Sequence, residues 1–72
     1  MQVKVNGRTV EIFSGARVRD AVRKSSPAAW ALVRKKEKAV FDRHGHEVGL
    51  DGELSGGEEL FIRSVGPAEP RS

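Results

Sequence analysis

Two histidines near the middle of the chain are the residues whose type and spacing best suit metal binding. His44 and His46 are two residues apart, so in an extended strand both side chains project to the same side. Imidazole nitrogens bind transition metals, and Asp42 or Glu47 would add a carboxylate oxygen. Two ligands are too few for a metal site, however, and polar residues are also typical of a solvated hairpin tip. We therefore expect no bound metal and no cofactor.

The serines and the glycine-rich stretch at 52–57 are the other candidates for chemistry, as a nucleophile and as a phosphate-binding loop. The serines fit turns, helix caps and strand ends better than a catalytic arrangement with histidine and acid; they are Ser14, Ser25, Ser26, Ser55 and Ser64. No lysine follows the glycine-rich stretch, which leads into a predicted strand and not into the helix N-terminus that binds phosphate. We therefore expect that the protein is not an enzyme.

Basic residues are concentrated in the first part of the chain, where they suit contact with the phosphates of nucleic acid. Residues 1–46 hold eleven Lys and Arg against four acidic residues, a balance of +7, whereas residues 47–72 hold two against six, a balance of −4. The predicted basic face consists of Arg17, Arg23, Lys35 and Lys36. Recognition of single strands usually also stacks bases on exposed aromatic rings, but Trp30 and Phe41 are expected in the core. Nucleic-acid binding is therefore the alternative, and solvated helix faces are the commoner cause of such charge.

Length and composition limit the protein to one small domain. The chain has 72 residues, of which 38% are hydrophobic and 32% are charged, and a single core must hold the fold because the chain has no cysteine. No apolar run approaches the roughly 20 residues that a bilayer-spanning helix needs. The opening residues, Met-Gln-Val-Lys-Val, alternate in polarity and differ from a signal peptide. We therefore exclude a membrane protein and expect a cytoplasmic location.

Alternating polarity at the start of the chain predicts a β-hairpin. Every second residue is apolar over 3–5 and again over 10–12. Asn6-Gly7 lies between the two stretches, and this pair is typical of two-residue hairpin turns because both positions require positive φ.

Two helical segments are predicted after the hairpin. The apolar residues at 18, 21 and 22 share one side of a helix predicted over 16–25, and arginine and lysine occupy its other side. Ser26 followed by Pro27 is typical of an N-cap and a first helical position, so a second short helix is expected. Basic residues in its last turn favour an end near Lys36.

The second half of the chain predicts further strands and a polar tail. Strands are expected at 39–41 and at 60–65, with a short one at 47–48 between them. Residues 66–72 contain two prolines and one small apolar side chain, and we expect a disordered tail there. The predicted domain therefore covers residues 1–65.

The order of these elements, and two stretches of residues, resemble the ubiquitin-like β-grasp family. Several residues are similar to the opening of the small sulfur carriers of thiamine and molybdopterin synthesis, namely 3–12 (VKVNGRTVEI), Gly15, Val18, Asp20 and Ala21. Residues 54–60 (LSGGEEL) are similar to the stretch before the last strand in those carriers and in TGS domains. The resemblance covers residues 1–25 and 38–65. It implies an α+β fold whose mixed sheet has four to five strands, with one crossing helix and a short second helix.

The C-terminal residues differ from those of the sulfur carriers that the chain resembles. Such carriers act through a terminal pair of glycines, whose carboxylate is adenylated and converted to a thiocarboxylate. The corresponding positions here hold Ala68 and Glu69, and Gly56-Gly57 precedes the last strand. The resemblance therefore implies a non-catalytic interaction module, or a divergent carrier-like protein without the reactive glycines. An RNA-binding module of TGS type is the alternative, and a conventional carrier after C-terminal processing is the third hypothesis.

The last strand carries the residues that we expect to bind a protein partner. Leu60 and Ile62 are expected to face the helix, so the alternation of a strand turns their neighbours outward. The predicted docking residues on the outer face of the sheet are Phe61, Arg63, Val65 and Lys4. We expect an exposed Phe61 at this face, since aromatic and arginine side chains dominate binding hot spots. The alternative is a shifted register or a twist that packs Phe61 under the tail or a loop.

Overall fold

A computed structural model describes residues 1–65 and shows an α+β fold, as predicted. The elements in chain order are β1 (Gln2–Val5), β2 (Arg8–Glu11), α1 (Val18–Ser25), α2 (Pro27–Arg34), β3 (Lys38–Phe41) and β4 (Glu59–Ser64). The predicted tail at 66–72 lies outside the described residues. Neither of the two helices in residues 1–65 is long and apolar enough to span a membrane.

The four strands form one mixed sheet in the order β2-β1-β4-β3. The two outer pairs are antiparallel, and β1 and β4 pair in parallel at the centre. This order, with the helices between the second and third strands, is consistent with the β-grasp arrangement that the resemblance implies. The predicted strand at 47–48 is reduced to one bridge between Phe41 and Glu47, so the sheet in residues 1–65 has four strands and not five.

The turn of the first hairpin also fixes the hairpin to the last strand. Asn6 and Gly7 have φ of 52° and 82°, the positive values that a tight turn of this kind requires. The Asn6 N–H donates to the Leu60 carbonyl at 2.8 Å, and the Ile62 N–H donates to the Asn6 side-chain oxygen at 2.8 Å. The Asn6 amide therefore continues the parallel ladder past the end of β1, where the backbone turns away.

A hydrogen bond between a side chain and the backbone marks the start of each helix. The Arg17 N–H donates to the Asp20 carboxylate at 2.9 Å, and α1 begins one residue later, at Val18 and not at the predicted residue 16. The Ser26 hydroxyl accepts the Ala29 N–H at 3.2 Å, and Pro27 opens α2, which confirms the predicted start. This helix ends at Arg34, slightly before the predicted end.

The core lies between the helices and one face of the sheet. Inward side chains of all four strands pack with three side chains of α1 in a single cluster of buried residues. From the strands these are Val3, Val5, Val10, Val40, Leu60 and Ile62, and from α1 they are Val18, Ala21 and Val22. Trp30 is partly buried against this cluster, in agreement with its predicted role in the core. The inward direction of Leu60 and Ile62 is thereby confirmed.

Replacement of Asn6 by glycine tests whether the side chain ties the hairpin to β4. Glycine adopts positive φ freely, so Asn6→Gly keeps the turn but leaves the Ile62 N–H without its acceptor. We expect the free energy of unfolding to fall by about 1–2 kcal/mol and the Ile62 amide to exchange faster with solvent. Urea denaturation and amide hydrogen exchange measure the two effects. Asn6→Asp, which keeps an acceptor, is the control, and unchanged Ile62 exchange in Asn6→Gly would contradict the assignment.

Candidate functional site

The outer face of the sheet, away from the helices, divides into two chemically different halves. On β1 and β2 the outward side chains are polar and exposed; they are Gln2, Lys4, Thr9 and Glu11. On β3 and β4 the outward side chains are Glu59, at the border with β1, and a set that is mostly apolar. We call this set the β3–β4 face; it consists of Ala39, Phe41, Phe61 and Arg63. Because a sheet with one solvated face normally alternates apolar and polar residues, the β3–β4 face departs from the expected pattern.

Cross-strand pairing brings the members of the β3–β4 face together. Phe61 lies opposite Phe41, and Arg63 lies opposite Ala39. The guanidinium carbon of Arg63 is 5.6 Å from the centroid of the Phe61 ring, within the range of a cation–π interaction. Phe61 therefore lies on the predicted side of the sheet, but it is partly buried and not fully exposed as we expected. The reason is local, since the Arg63 side chain lies over one side of the ring.

Phe41 is the residue whose position the sequence analysis predicted wrongly. We expected it in the core, but it is absent from the buried cluster and pairs with Phe61 on the opposite face. The apolar run Ala39-Val40-Phe41 has no alternation, so its pattern does not indicate which side chains point inward. The inward residue is Val40, which is almost completely buried opposite Ile62. The register with β4 was the only signal that could have assigned the faces.

The other two predicted docking residues lie on either side of the β3–β4 face. Lys4 pairs in parallel register with Glu59 on β4, so it borders the face on the β1 side. Val65 follows the end of β4, where its N–H donates to the Glu37 carbonyl at 3.1 Å, and 43% of it is exposed. It lines a separate cleft that also contains Lys36.

The four residues of the predicted basic face have different environments. The Arg17 guanidinium donates to the Asp51 carbonyl at 2.6 Å, while Arg19 pairs with the Asp51 carboxylate, so both arginines hold the loop against α1. Arg23 and Lys35 are exposed, and Lys36 lies in the cleft beside Val65. Arg17 thus binds the loop at Asp51, Arg23 lies on α1, and Lys36 lines the cleft. The four residues therefore do not form one continuous basic face.

The turn that carries the two histidines is held by a carboxylate. Asp42 accepts the N–H groups of His46 and His44 at 3.0 Å and 2.8 Å, and these bonds hold the pKa of Asp42 below its ordinary value of 3.8. The two imidazole rings are 6.4 Å apart between centroids. Within residues 1–65, no group of three or more histidine, aspartate or glutamate side chains is placed to hold a metal ion.

The backbone N–H groups of the glycine-rich loop before β4 donate to the carboxylate of Glu58, which belongs to the same loop. Glu58 accepts the N–H groups of Ser55 and Gly56 at 2.7 Å and 2.8 Å. Burial raises the pKa of Glu58, but the backbone N–H donors together lower it by more than burial raises it. The pKa of Glu58 therefore lies below its ordinary value of 4.5. The donors that would meet an anion in a phosphate-binding loop are therefore occupied by Glu58.

Comparison with known proteins identifies no relative of this chain, so the proposed function depends on the surfaces described above. No protein-family model, curated protein or solved structure matches this chain. The similarity of residues 1–25 and 38–65 to sulfur carriers and TGS domains therefore stays a prediction. The geometry of residues 1–65 offers one face with hot-spot chemistry, the β3–β4 face.

Consecutive alanine substitutions on β4 test the assignment of the two faces. Leu60→Ala removes a buried core side chain, and we expect the free energy of unfolding to fall by about 2–5 kcal/mol. Phe61→Ala removes a cross-strand and a cation–π contact on the outer face, which are worth about 1–2 kcal/mol together. Chemical denaturation of the two variants measures the difference. A loss for Phe61→Ala as large as that for Leu60→Ala would place Phe61 in the core.

Proposed function

We propose that the protein is a non-catalytic, cytoplasmic interaction module of the ubiquitin-like type, which binds a protein partner through the β3–β4 face. The observation that carries this proposal is the pair of aromatic side chains, Phe41 and Phe61, on the side of the sheet opposite α1 and α2. The outward positions on β1 and β2 are polar, so large apolar side chains on the outer face are confined to β3 and β4.

The chemistry of the β3–β4 face indicates the kind of contact that a partner would make. Aromatic and arginine side chains are enriched in binding hot spots, and here Arg63 lies beside the Phe61 ring. An apolar side chain of the partner would pack on Phe61 and Phe41, and a carboxylate would pair with Arg63. Lys4, at the border of the face, lies opposite Glu59, which offsets its charge, so Arg63 would supply the attraction for acidic groups.

The carrier hypotheses and the RNA hypothesis rank below this proposal. A divergent or conventional sulfur carrier is supported by the resemblance alone, and the positions that decide it lie in 66–72, outside the described residues. RNA binding is supported by the exposure of Arg23 and Lys35, neither of which forms an ion pair within residues 1–65. Such binding would rest on phosphate contacts and would weaken steeply with salt.

Substitutions on the two halves of the outer face test the proposed function. The wild-type protein is immobilised, partners are captured from an extract of its source cells, and each captured protein is purified and titrated in a calorimeter. We expect Phe61→Ala and Arg63→Glu each to weaken the binding of a partner by about tenfold or more, as at hot spots generally.

The matched control for this experiment is Thr9→Ala, on the polar half of the same face. Thr9 is exposed on β2, and we expect its replacement to change the affinity by less than about twofold, as is usual for residues outside a hot spot. Circular dichroism establishes that each variant is folded. A partner that binds Phe61→Ala and Arg63→Glu as tightly as the wild type would contradict the proposal.

A further inference from the structure

We infer that the cleft at the free edge of β3 is a second docking site, which takes an extended peptide with alternating apolar and acidic residues. This site goes beyond the proposed function, because it shares only Ala39 with the β3–β4 face and uses a different mode of binding. Its volume is about 470 Å³. We call it the edge cleft, and its lining includes Arg34, Lys36, Lys38, Val40, Val48, Leu50 and Val65.

The floor of the edge cleft is apolar. Val40 is almost completely buried, and Val48 and Leu50 are partly buried against the core cluster. Val65, at the rim, is one of two large hydrophobic side chains that are exposed in residues 1–65. An apolar side chain that entered the cleft would meet these groups and lose contact with water.

The rim of the edge cleft is basic. Three of its lining residues are cations, Arg34 at the end of α2, Lys36 after it and Lys38 at the start of β3. Glu47 is the acidic residue among those lining the cleft, and none of the three cations forms an ion pair within residues 1–65. Lys36 has a φ of 65°, so a left-handed turn of the backbone presents it at this rim. The charge of the rim therefore favours an acidic ligand.

The backbone at the edge cleft has an open strand edge. In an antiparallel ladder alternate residues direct their N–H and C=O groups away from the partner strand. On β3 and just after it, these residues are Lys38, Val40 and Asp42. The Val40 carbonyl accepts the Val48 N–H, and the Asp42 N–H donates to the His46 carbonyl, so both groups point away from β4. The segment at 46–48 thus covers only the end of this edge. Lys38, beside the cleft, is left at the uncovered part.

Three features of the edge cleft indicate the chemistry of its ligand: the open strand edge, the apolar floor and the basic rim. An added strand would pair with the backbone at Lys38 and place alternate side chains on opposite sides, as extended peptides do when they extend a sheet. Apolar side chains would then contact the floor, and acidic side chains would contact the rim. The edge of β2 differs, because the groove beside it is lined by one apolar residue, Val10, and so has no apolar floor.

The proposal is tested with the full chain and a synthetic peptide, acetyl-DVEIEVD-amide, followed by nuclear magnetic resonance of the ¹⁵N-labelled protein. We expect saturable binding, shifts centred on Lys36, Lys38 and Val40, and slower hydrogen exchange of the Lys38 and Val40 amides. The counterpart peptide acetyl-KVKIKVK-amide has the same apolar side chains and the opposite charge. We expect it to bind at least about tenfold more weakly, because like charges at the rim repel it.

Two charge-reversed proteins separate the edge cleft from general attraction between opposite charges. Lys36→Glu/Lys38→Glu reverses the rim and should weaken binding of the acidic peptide by about tenfold. Arg8→Glu/Lys24→Glu changes the net charge equally at the opposite edge of the sheet, and it should change the affinity by less than about twofold. If the first variant fails to fold, Lys36→Gln/Lys38→Gln replaces it, with an expected loss of about threefold.

Several results would overturn the proposal. They are the absence of saturable binding up to about 5 mM peptide, equal binding of the two peptides, shifts centred on residues outside the edge cleft, and an equal loss of affinity in the two charge-reversed proteins.

Discussion

The parallel pairing of β1 with β4 is the interaction on which the other parts of the structure depend. These strands are more than fifty residues apart in the chain, and their register places Val5 beside Leu60. Backbone bonds from Lys4 to Glu58 and from Asn6 to Leu60 fix that register, and the Asn6 side chain extends it to Ile62. A shift of one residue would turn every side chain of β4 to the opposite face. This pairing thus decides which residues of β4 enter the core and which face solvent.

The proposed docking face is a consequence of that register. With Leu60 and Ile62 fixed inward, Phe61 and Arg63 must face outward, and the antiparallel pairing with β3 places Phe41 beside them. The edge cleft has a different origin, in the end of α2 and the short segment that follows β3. The two surfaces flank the same pair of strands, whereas β1 and β2 carry polar side chains outward. Both proposed sites therefore lie on the half of the sheet that β3 and β4 form, away from the first hairpin.

The parts of the fold that depend on neighbouring residues could be predicted from the sequence. The hairpin follows from the positive φ that Asn6 and Gly7 tolerate, and the start of α2 follows from Ser26 and Pro27. Contacts between distant residues account for the errors. The Ala16 carbonyl accepts the Leu54 N–H and the Val18 N–H donates to the Gly52 carbonyl, so a loop contact delays the start of α1.

The candidate sites were predictable to the extent that they depend on the alternation within one strand. The outward direction of Phe61 and Arg63 followed from that alternation, but the coverage of Phe61 by Arg63 and the outward position of Phe41 required the cross-strand register. The edge cleft joins residues of α2, β3 and the segment after β3, and no local pattern indicates that these approach one another. For this reason Arg34 and Lys38 were not predicted to line a peptide-binding cleft.

Mapping a small aromatic acid on the protein tests the central claim, that the β3–β4 face is built to bind. Phenylacetate combines an aromatic ring with a carboxylate, the two groups that Phe61 and Arg63 should attract, and benzylamine has the same ring with a positive charge. We expect phenylacetate to shift the resonances of Phe41, Phe61 and Arg63, to leave those of Thr9 and Glu11 unchanged, and to bind more tightly than benzylamine. Shifts that avoid these three residues, or equal binding of the two compounds, would contradict that claim.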